Sequence, residues 1–99
     1  MRIIYKYEIP IMDEFTLDLP LDSEVLCVQV QRGKPYIWVS CDYHTAVLAC
    51  PPIGRNRTFF LRGTGLIFDY KSNTERYIGT FQFGKLNSIQ RFVGHLFET

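Results

Sequence analysis

The sequence predicts a small all-β domain made of antiparallel strands. Apolar and polar residues alternate with a period of two along most of the chain, from Arg2–Ile9 to Arg91–Glu98. Successive side chains of a strand point to opposite faces, so such a chain covers a core on one face and meets water on the other. No segment of ten or more residues shows helical spacing. We therefore expect a single domain over residues 1–99, with about seven or eight strands in a small antiparallel β-sandwich or a curled, barrel-like sheet.

The first half of the chain contains four predicted strands. Arg2–Ile9 alternates up to Pro10, which donates no ladder hydrogen bond, and Glu14–Leu19 alternates up to Pro20. Val25–Gln31 and Tyr36–Cys41 flank a short loop, and its Gly33 permits a positive φ. These two strands are therefore predicted to form a hairpin.

The second half is less regular. Thr45–Cys50 is an apolar run that reads either as a short strand or as a turn of helix, and Pro51–Gly54 ends it. Arg57–Arg62 predicts a strand, which Leu66–Phe68 is expected to continue, and Tyr77–Phe83 and Arg91–Glu98 predict the last two.

The alternation also predicts which side chains form the core. On the first hairpin arm it places Leu26, Val28 and Val30 inward and Cys27, Gln29 and Gln31 outward. Over the whole chain the predicted core is Ile3, Tyr5, Tyr7, Leu17, Leu26, Val28, Val30, Val39, Phe81, Phe92 and Leu96.

Composition excludes several classes of protein. The formal net charge is +1 and basic residues are not concentrated in a run, so bulk attraction to nucleic acid or to an anionic membrane is excluded as the main driving force. The start lacks the apolar core of a signal peptide, and no stretch is long enough to span a membrane. Three cysteines cannot all pair, so we expect reduced thiols in a soluble, cytoplasmic protein.

The aromatic content points to self-association. The chain has eight Phe, six Tyr and one Trp, and a short β domain has little interior for so many rings. Interfaces enrich these residues at their centres, so we expect a homo-oligomer.

Short blocks spread over most of the chain resemble a known family. The blocks are Ile4–Pro10, Val28–Pro35, Gly63–Gly65, Tyr77–Phe81 and His95–Glu98. Together they are similar to a family of short bacteriophage and prophage proteins with a domain of unknown function. The resemblance implies a viral or prophage origin and no catalytic residues. Small phage accessory proteins of this kind often act by binding, so it also implies a binding role.

The strongest local candidate for a site is an arginine cluster beside glycines. Arg55 and Arg57 precede Arg62, Gly63 and Thr64. Guanidinium groups match phosphate oxygens in a bidentate way, and glycine-flanked amides form anion-holding nests. The other interpretation is that these arginines are strand residues paired with carboxylates.

Two aromatic residues complete the predicted anion or ligand site. Tyr36 and Trp38 are candidates to stack on a base, although core or oligomer packing is the commoner role for such rings.

Metal and catalytic chemistry are less well supported. Cys41, Asp42 and His44, with Cys27 and Cys50, offer ligands of the zinc type, but the spacing matches no known zinc motif. Residues this close along a strand rarely orient as nucleophile, base and orienting group. We expect no bound metal, no cofactor and no enzymatic activity.

The predicted function is that of a non-catalytic accessory binding protein. It would counter host defence by sequestering a small, nucleotide-like anion or by inhibiting a host protein, in the host cytoplasm. A structural or virion-associated module is the alternative, followed by a single-stranded nucleic-acid binder or a small metal-dependent enzyme. The expected partners are further copies of the chain and either a small anionic ligand or a host protein, without a membrane and with little scope for nucleic acid.

Overall fold

The computed structural model describes residues 1–51, 53–70, 73–84 and 92–99. The described part contains seven strands and one short helical turn, His44–Leu48. The strands are β1 (Arg2–Glu8), β2 (Glu14–Pro20), β3 (Glu24–Gln31), β4 (Lys34–Asp42), β5 (Gly54–Gly63), β6 (Arg76–Phe83) and β7 (Phe92–Glu98).

The strands form two open antiparallel sheets. One sheet has three strands in the order β1-β4-β3, and the other has four in the order β2-β5-β7-β6. The all-β prediction is therefore confirmed, and of its two alternatives the described strands form the sandwich rather than a closed barrel.

The predicted hairpin joins β3 to β4 through a two-residue turn. Gln31 pairs with Lys34, and between them Arg32 and Gly33 have φ values of 54° and 77°. Two consecutive positive φ angles define the type of turn whose twist matches that of the flanking strands. Glycine at the second position avoids the cost that a Cβ adds in this conformation, a cost that Arg32 bears at the first position.

Replacing Gly33 by alanine is expected to lower the free energy of unfolding by about 1 kcal/mol, the cost of a left-handed conformation for an L-residue. A Cβ at Gly33 would meet no atom within 4 Å, so the effect is conformational and not a clash. Arg32→Asn is the control, since asparagine tolerates this conformation. Urea denaturation measures both, and an unchanged midpoint for the alanine variant would contradict the turn assignment.

The core lies between the two sheets and is only partly the predicted one. Of the predicted residues, the buried ones are Val28, Val39, Phe81 and Leu96. The largest fully buried side chain is Phe59, whose ring stacks on Phe15 with centroids 5.4 Å apart. Among the predicted core residues that are not buried, Ile3, Tyr7, Leu17 and Phe92 are half-buried, and Tyr5, Leu26 and Val30 are exposed.

The prediction that Leu26 points inward is wrong because the strand is irregular there. The pairing with β4 shifts register between Val25 and Cys27. The extra residue of such a bulge interrupts the alternation, so Val25 takes the buried position and Leu26 faces solvent.

The structure corrects one further prediction of secondary structure and decides between the two alternatives left for another segment. Leu66–Phe68 does not continue β5, which ends at Gly63. For residues 45–50 the sequence allows either a strand or a turn of helix, and in the structure the first part of this run belongs to the helical turn. The predicted start of the last strand at Arg91 lies outside the described residues.

Candidate binding surface

The alternation along β5 places its two central arginines on opposite faces. Phe59 and Leu61 are buried in the core, so Arg57 shares the inner face with them. Phe60 and Arg62 lie on the outer face of the four-stranded sheet. Neither guanidinium is free, because each is paired with a carboxylate.

Arg57 forms a bidentate ion pair with Glu98 at the margin of the core. Its Nε donates to Glu98 Oε2, and its Nη2 donates to Oε1 over 2.8 Å. A third donor, Nη1, reaches the backbone oxygen of Ser23. The two charged side chains are only 13% and 8% exposed. These hydrogen bonds from the Arg57 guanidinium connect β5 to β7 and to the residue that precedes β3.

Arg62 forms the second bidentate pair, with Glu75. Its Nη2 and Nη1 donate to the two carboxylate oxygens over 2.7 and 3.2 Å. The guanidinium carbon also lies 4.2 Å from the ring centroid of Phe68 and 4.7 Å from that of Phe97. Cation–π attraction of this kind favours a charged group packed among rings.

An aromatic cluster surrounds this pair on the outer face of the sheet. The ring of Phe97 lies 5.7 Å from Phe68, 5.8 Å from Tyr70 and 5.4 Å from Tyr77. Phe97 is buried even though its strand position faces outward. Phe68 and Tyr70 belong to residues 64–70, and this covering segment lies over this part of the sheet.

A chain of hydroxyl and imidazole groups runs beside the aromatic cluster. Thr64 Oγ1 lies 2.7 Å from His95 Nε2, and Thr80 Oγ1 lies 2.8 Å from His95 Nδ1. The Tyr77 hydroxyl hydrogen-bonds to the same Thr80 oxygen. Both ring nitrogens of an imidazole can take part in hydrogen bonds, so His95 bridges the two threonine hydroxyls. It thereby attaches the start of the covering segment to β6 and β7.

A groove opens between the covering segment and the start of β2. Its floor includes Phe60 and Arg62, and its volume is about 340 Å³. One wall is the consecutive run Leu66–Phe68, in which Ile67 is fully exposed. The opposite rim carries Asp13 and Glu14, and neither carboxylate has an ion-pair partner among the described residues. The groove is therefore apolar inside and acidic at one rim.

A second hollow adjoins the groove at Arg62. It measures about 450 Å³ and shares Phe60 and Arg62 with the groove, and its lining includes Asp69 and Glu75. Because Glu75 already neutralises Arg62, Asp69 adds to the acidic character of this face.

The structure does not bring all of the predicted anion-site residues together. Tyr36 and Trp38 lie on β4, in the other sheet, where Lys6 Nζ sits 4.7 Å from the Tyr36 ring centroid and 5.8 Å from that of Trp38. Arg55 is exposed opposite Leu19. The anion-binding role of these residues stays a prediction.

The other predicted members of that site lie near the end of β5. Gly63 is the last residue of the strand and pairs with Gly94. Thr64 follows it, and its amide donates to the Val93 oxygen over 3.3 Å. These two residues lie next to Arg62 but far along the strand from Arg55.

Within the described part of the chain, the cysteine and histidine candidates form no cluster of three or more possible metal ligands. Cys41 is a buried residue of β4, whereas Cys50 and His44 are exposed. Asp42 accepts a hydrogen bond of 2.7 Å from the His44 backbone N–H, and this bond lowers the pKa of the carboxyl. Asp42 therefore forms a local side-chain-to-backbone turn that leads into the helical turn.

Alkaline pH is expected to destabilise the domain. Burial raises the pKa of the Cys41 thiol above 9.0 and that of the Tyr7 phenol above 10.0. A raised pKa gives stability that is complete below the unfolded-state value and is lost as the pH rises through the folded-state value. Denaturation between pH 8 and about 11 measures this. Cys41→Val should reduce the loss of unfolding free energy with rising pH, and Cys50→Ser should leave it unchanged. Equal pH dependence in the two variants would contradict the role given to Cys41.

Sequence reasoning missed the groove. Asp13 and Glu14 are not among the predicted site residues, and Leu66–Phe68 is predicted to continue a strand. The signal that was available is the run of three large apolar residues directly after Gly63-Thr64-Gly65, at a place where a strand would have to bend.

The fold and this surface define a small two-sheet β-sandwich with a partly covered aromatic face. The family model described as Domain of unknown function (DUF7352) matches residues 1–99, and the chain belongs to that family. Neither the curated proteins nor the solved structures yielded a match. Within the described part of the chain, no helix is long and apolar enough to cross a membrane.

Proposed function

We propose that this chain is a non-catalytic binding protein that captures a host protein through the acidic-rimmed groove. The observation that carries the proposal is the exposure of Ile67 and Leu66, at 101% and 67%, beside the unpaired carboxylates of Asp13 and Glu14. Exposed apolar side chains that cluster beside a polar rim are typical of interaction sites. The proposed partner presents an apolar side chain flanked by Lys or Arg.

The charge distribution favours a foreign partner over a second copy at this groove. Two copies meeting face to face would bring Asp13, Glu14 and Asp69 of each chain toward those of the other. Like charges across an interface cost several kcal/mol and select against the wrong partner. The predicted homo-oligomer would then assemble through another surface. Light scattering measures the number of subunits.

The two arginine pairs favour a protein ligand over a phosphate ligand. A phosphate that bound Arg62 would have to displace the bidentate Glu75 carboxylate from a site where that side chain is 5% exposed. Removing one partner of a buried pair is costly. The phage or prophage origin and the action against host defence are supported by the resemblance of the sequence blocks described above. The cytoplasmic location is supported by the odd number of cysteines, which favours reduced thiols.

Selection from a displayed random-peptide library tests the proposal. Peptides enriched on the wild-type protein are expected to carry Lys or Arg next to an aromatic or aliphatic residue. Ile67→Glu should weaken their binding at least about tenfold, because a carboxylate would have to be desolvated in the groove.

Ile4→Glu is the matched control. Ile4 is 60% exposed on the outer face of the other sheet, so the same change there should leave peptide binding unchanged. Enriched peptides without basic residues, or equal loss of binding in both variants, would contradict the proposal. So would a wild-type dimer that Ile67→Glu converts to a monomer, since a second copy would then occupy the groove.

A further inference from the structure

A separate pocket lies where the edges of the two sheets meet. It is bounded by β1 of the three-stranded sheet and by the end of β2 in the four-stranded sheet, with Ala46 and Ile53 closing it. Its volume is about 200 Å³, below the roughly 300–1,000 Å³ of pockets that hold drug-sized ligands. The occupant must therefore be small. The groove proposed above lies at the opposite end of β2.

One wall of this pocket carries a carboxylate without a partner. Asp18 lines the pocket, and among the described residues its side chain has no ion pair or hydrogen bond. Gly54 makes room for it, since a Cβ at that position would lie 2.7 Å from Asp18 Oδ1 and 3.1 Å from the backbone oxygen of Leu19. Any other residue at position 54 would push the carboxylate away.

Two tyrosines of β1 belong to the same lining. Tyr5 and Tyr7 both line the pocket, two residues apart on one face of the strand. The pKa of the Tyr7 phenol is raised, mainly by burial, and the negative charge of Asp18 contributes in the same direction. The phenol is thus neutral at physiological pH, and it is close enough to Asp18 for the two groups to interact electrostatically.

We propose that this pocket binds a small organic ammonium ion. Asp18 supplies the negative charge, and the aromatic rings of Tyr5 and Tyr7, which line the pocket, attract a cation that reaches their faces. The apolar side chains of Ala46 and Ile53 accept a short alkyl chain. An anion is disfavoured by Asp18, and a neutral hydrogen-bond donor gains less from the carboxylate than an ammonium ion does. A free small amine and the side chain of a lysine present the same group to such a site.

Amide chemical-shift titration of the ¹⁵N-labelled protein with n-butylammonium tests the proposal. Saturable shifts are expected at Tyr5, Tyr7, Asp18 and Gly54, with an affinity on the order of 1 mM, while n-butanol, the neutral analogue, leaves these signals in place. A blocked tripeptide with a central lysine is the second probe. Shifts at the same amides with the tripeptide identify a protein side chain as the source of the ammonium group, and shifts with n-butylammonium alone identify a free amine.

Asp18→Asn should weaken n-butylammonium binding at least fivefold, because it removes the charge and keeps the shape. Asp22→Asn is the control, since it makes the same change in net charge in the exposed turn after β2, and asparagine tolerates the positive φ found there. Gly54→Ala should also weaken binding. Equal binding of n-butanol, or equal affinity in Asp18→Asn and the wild type, would overturn the proposal.

Discussion

Replacing Glu98 by alanine is expected to lower the free energy of unfolding by about 3–5 kcal/mol, the usual cost of leaving one charge of a buried pair unpaired. Arg57 would keep its charge at 13% exposure and lose both carboxylate contacts. Chemical denaturation by urea measures the change.

The exposed pair of Lys34 and Glu8 is the internal control. Its charged atoms are 3.9 Å apart and its side chains are 62% and 54% exposed. Glu8→Ala should therefore change the free energy of unfolding by less than about 1 kcal/mol. A double variant, Arg57→Met with Glu98→Leu, should recover much of the stability, because it removes both charges together. A loss below about 1 kcal/mol for Glu98→Ala would mean that water screens the pair.

Phe59→Ala is expected to cost about 3–5 kcal/mol, since it empties the largest fully buried position of the core. The cost combines the lost burial of the ring with the cavity left against Phe15. Thermal and urea denaturation measure it.

Phe60→Ala is the neighbouring control on the outer face of the same strand. Phe60 is half-buried beside Arg62, so its removal should cost distinctly less than that of Phe59. If Phe60→Ala were the more costly of the two, the inner and outer faces of β5 would be assigned the wrong way round.

The alternation in the sequence was enough to predict the faces of β5, but not what its arginines bind. Arg57 and Arg62 fall on opposite faces, as the period of two requires. Their partners are 41 and 13 residues away in sequence, in β7 and just before β6. Which carboxylate reaches which guanidinium depends on contacts between segments that are distant in sequence, and unlike the β3–β4 hairpin such contacts leave no local signal.

The two errors in the predicted secondary structure have physical causes. The bulge after Val25 shifts the phase of the alternation by one residue, and a period-two pattern cannot register an extra residue that has no partner. Leu66–Phe68 looks like a strand because it is apolar, but its neighbours lie on the outer face of the four-stranded sheet. The binding groove depends on that tertiary placement, so it could not be predicted from the run itself.

The most direct measurement of the central claim is an amide chemical-shift titration of the ¹⁵N-labelled protein with a peptide from the library selection. The account predicts that the largest shifts fall on the groove, at residues 60–68 together with Asp13 and Glu14, and that ATP does not compete. Largest shifts at Tyr36, Trp38 and Arg55, or displacement of the peptide by ATP, would contradict it and favour the capture of a nucleotide-like anion.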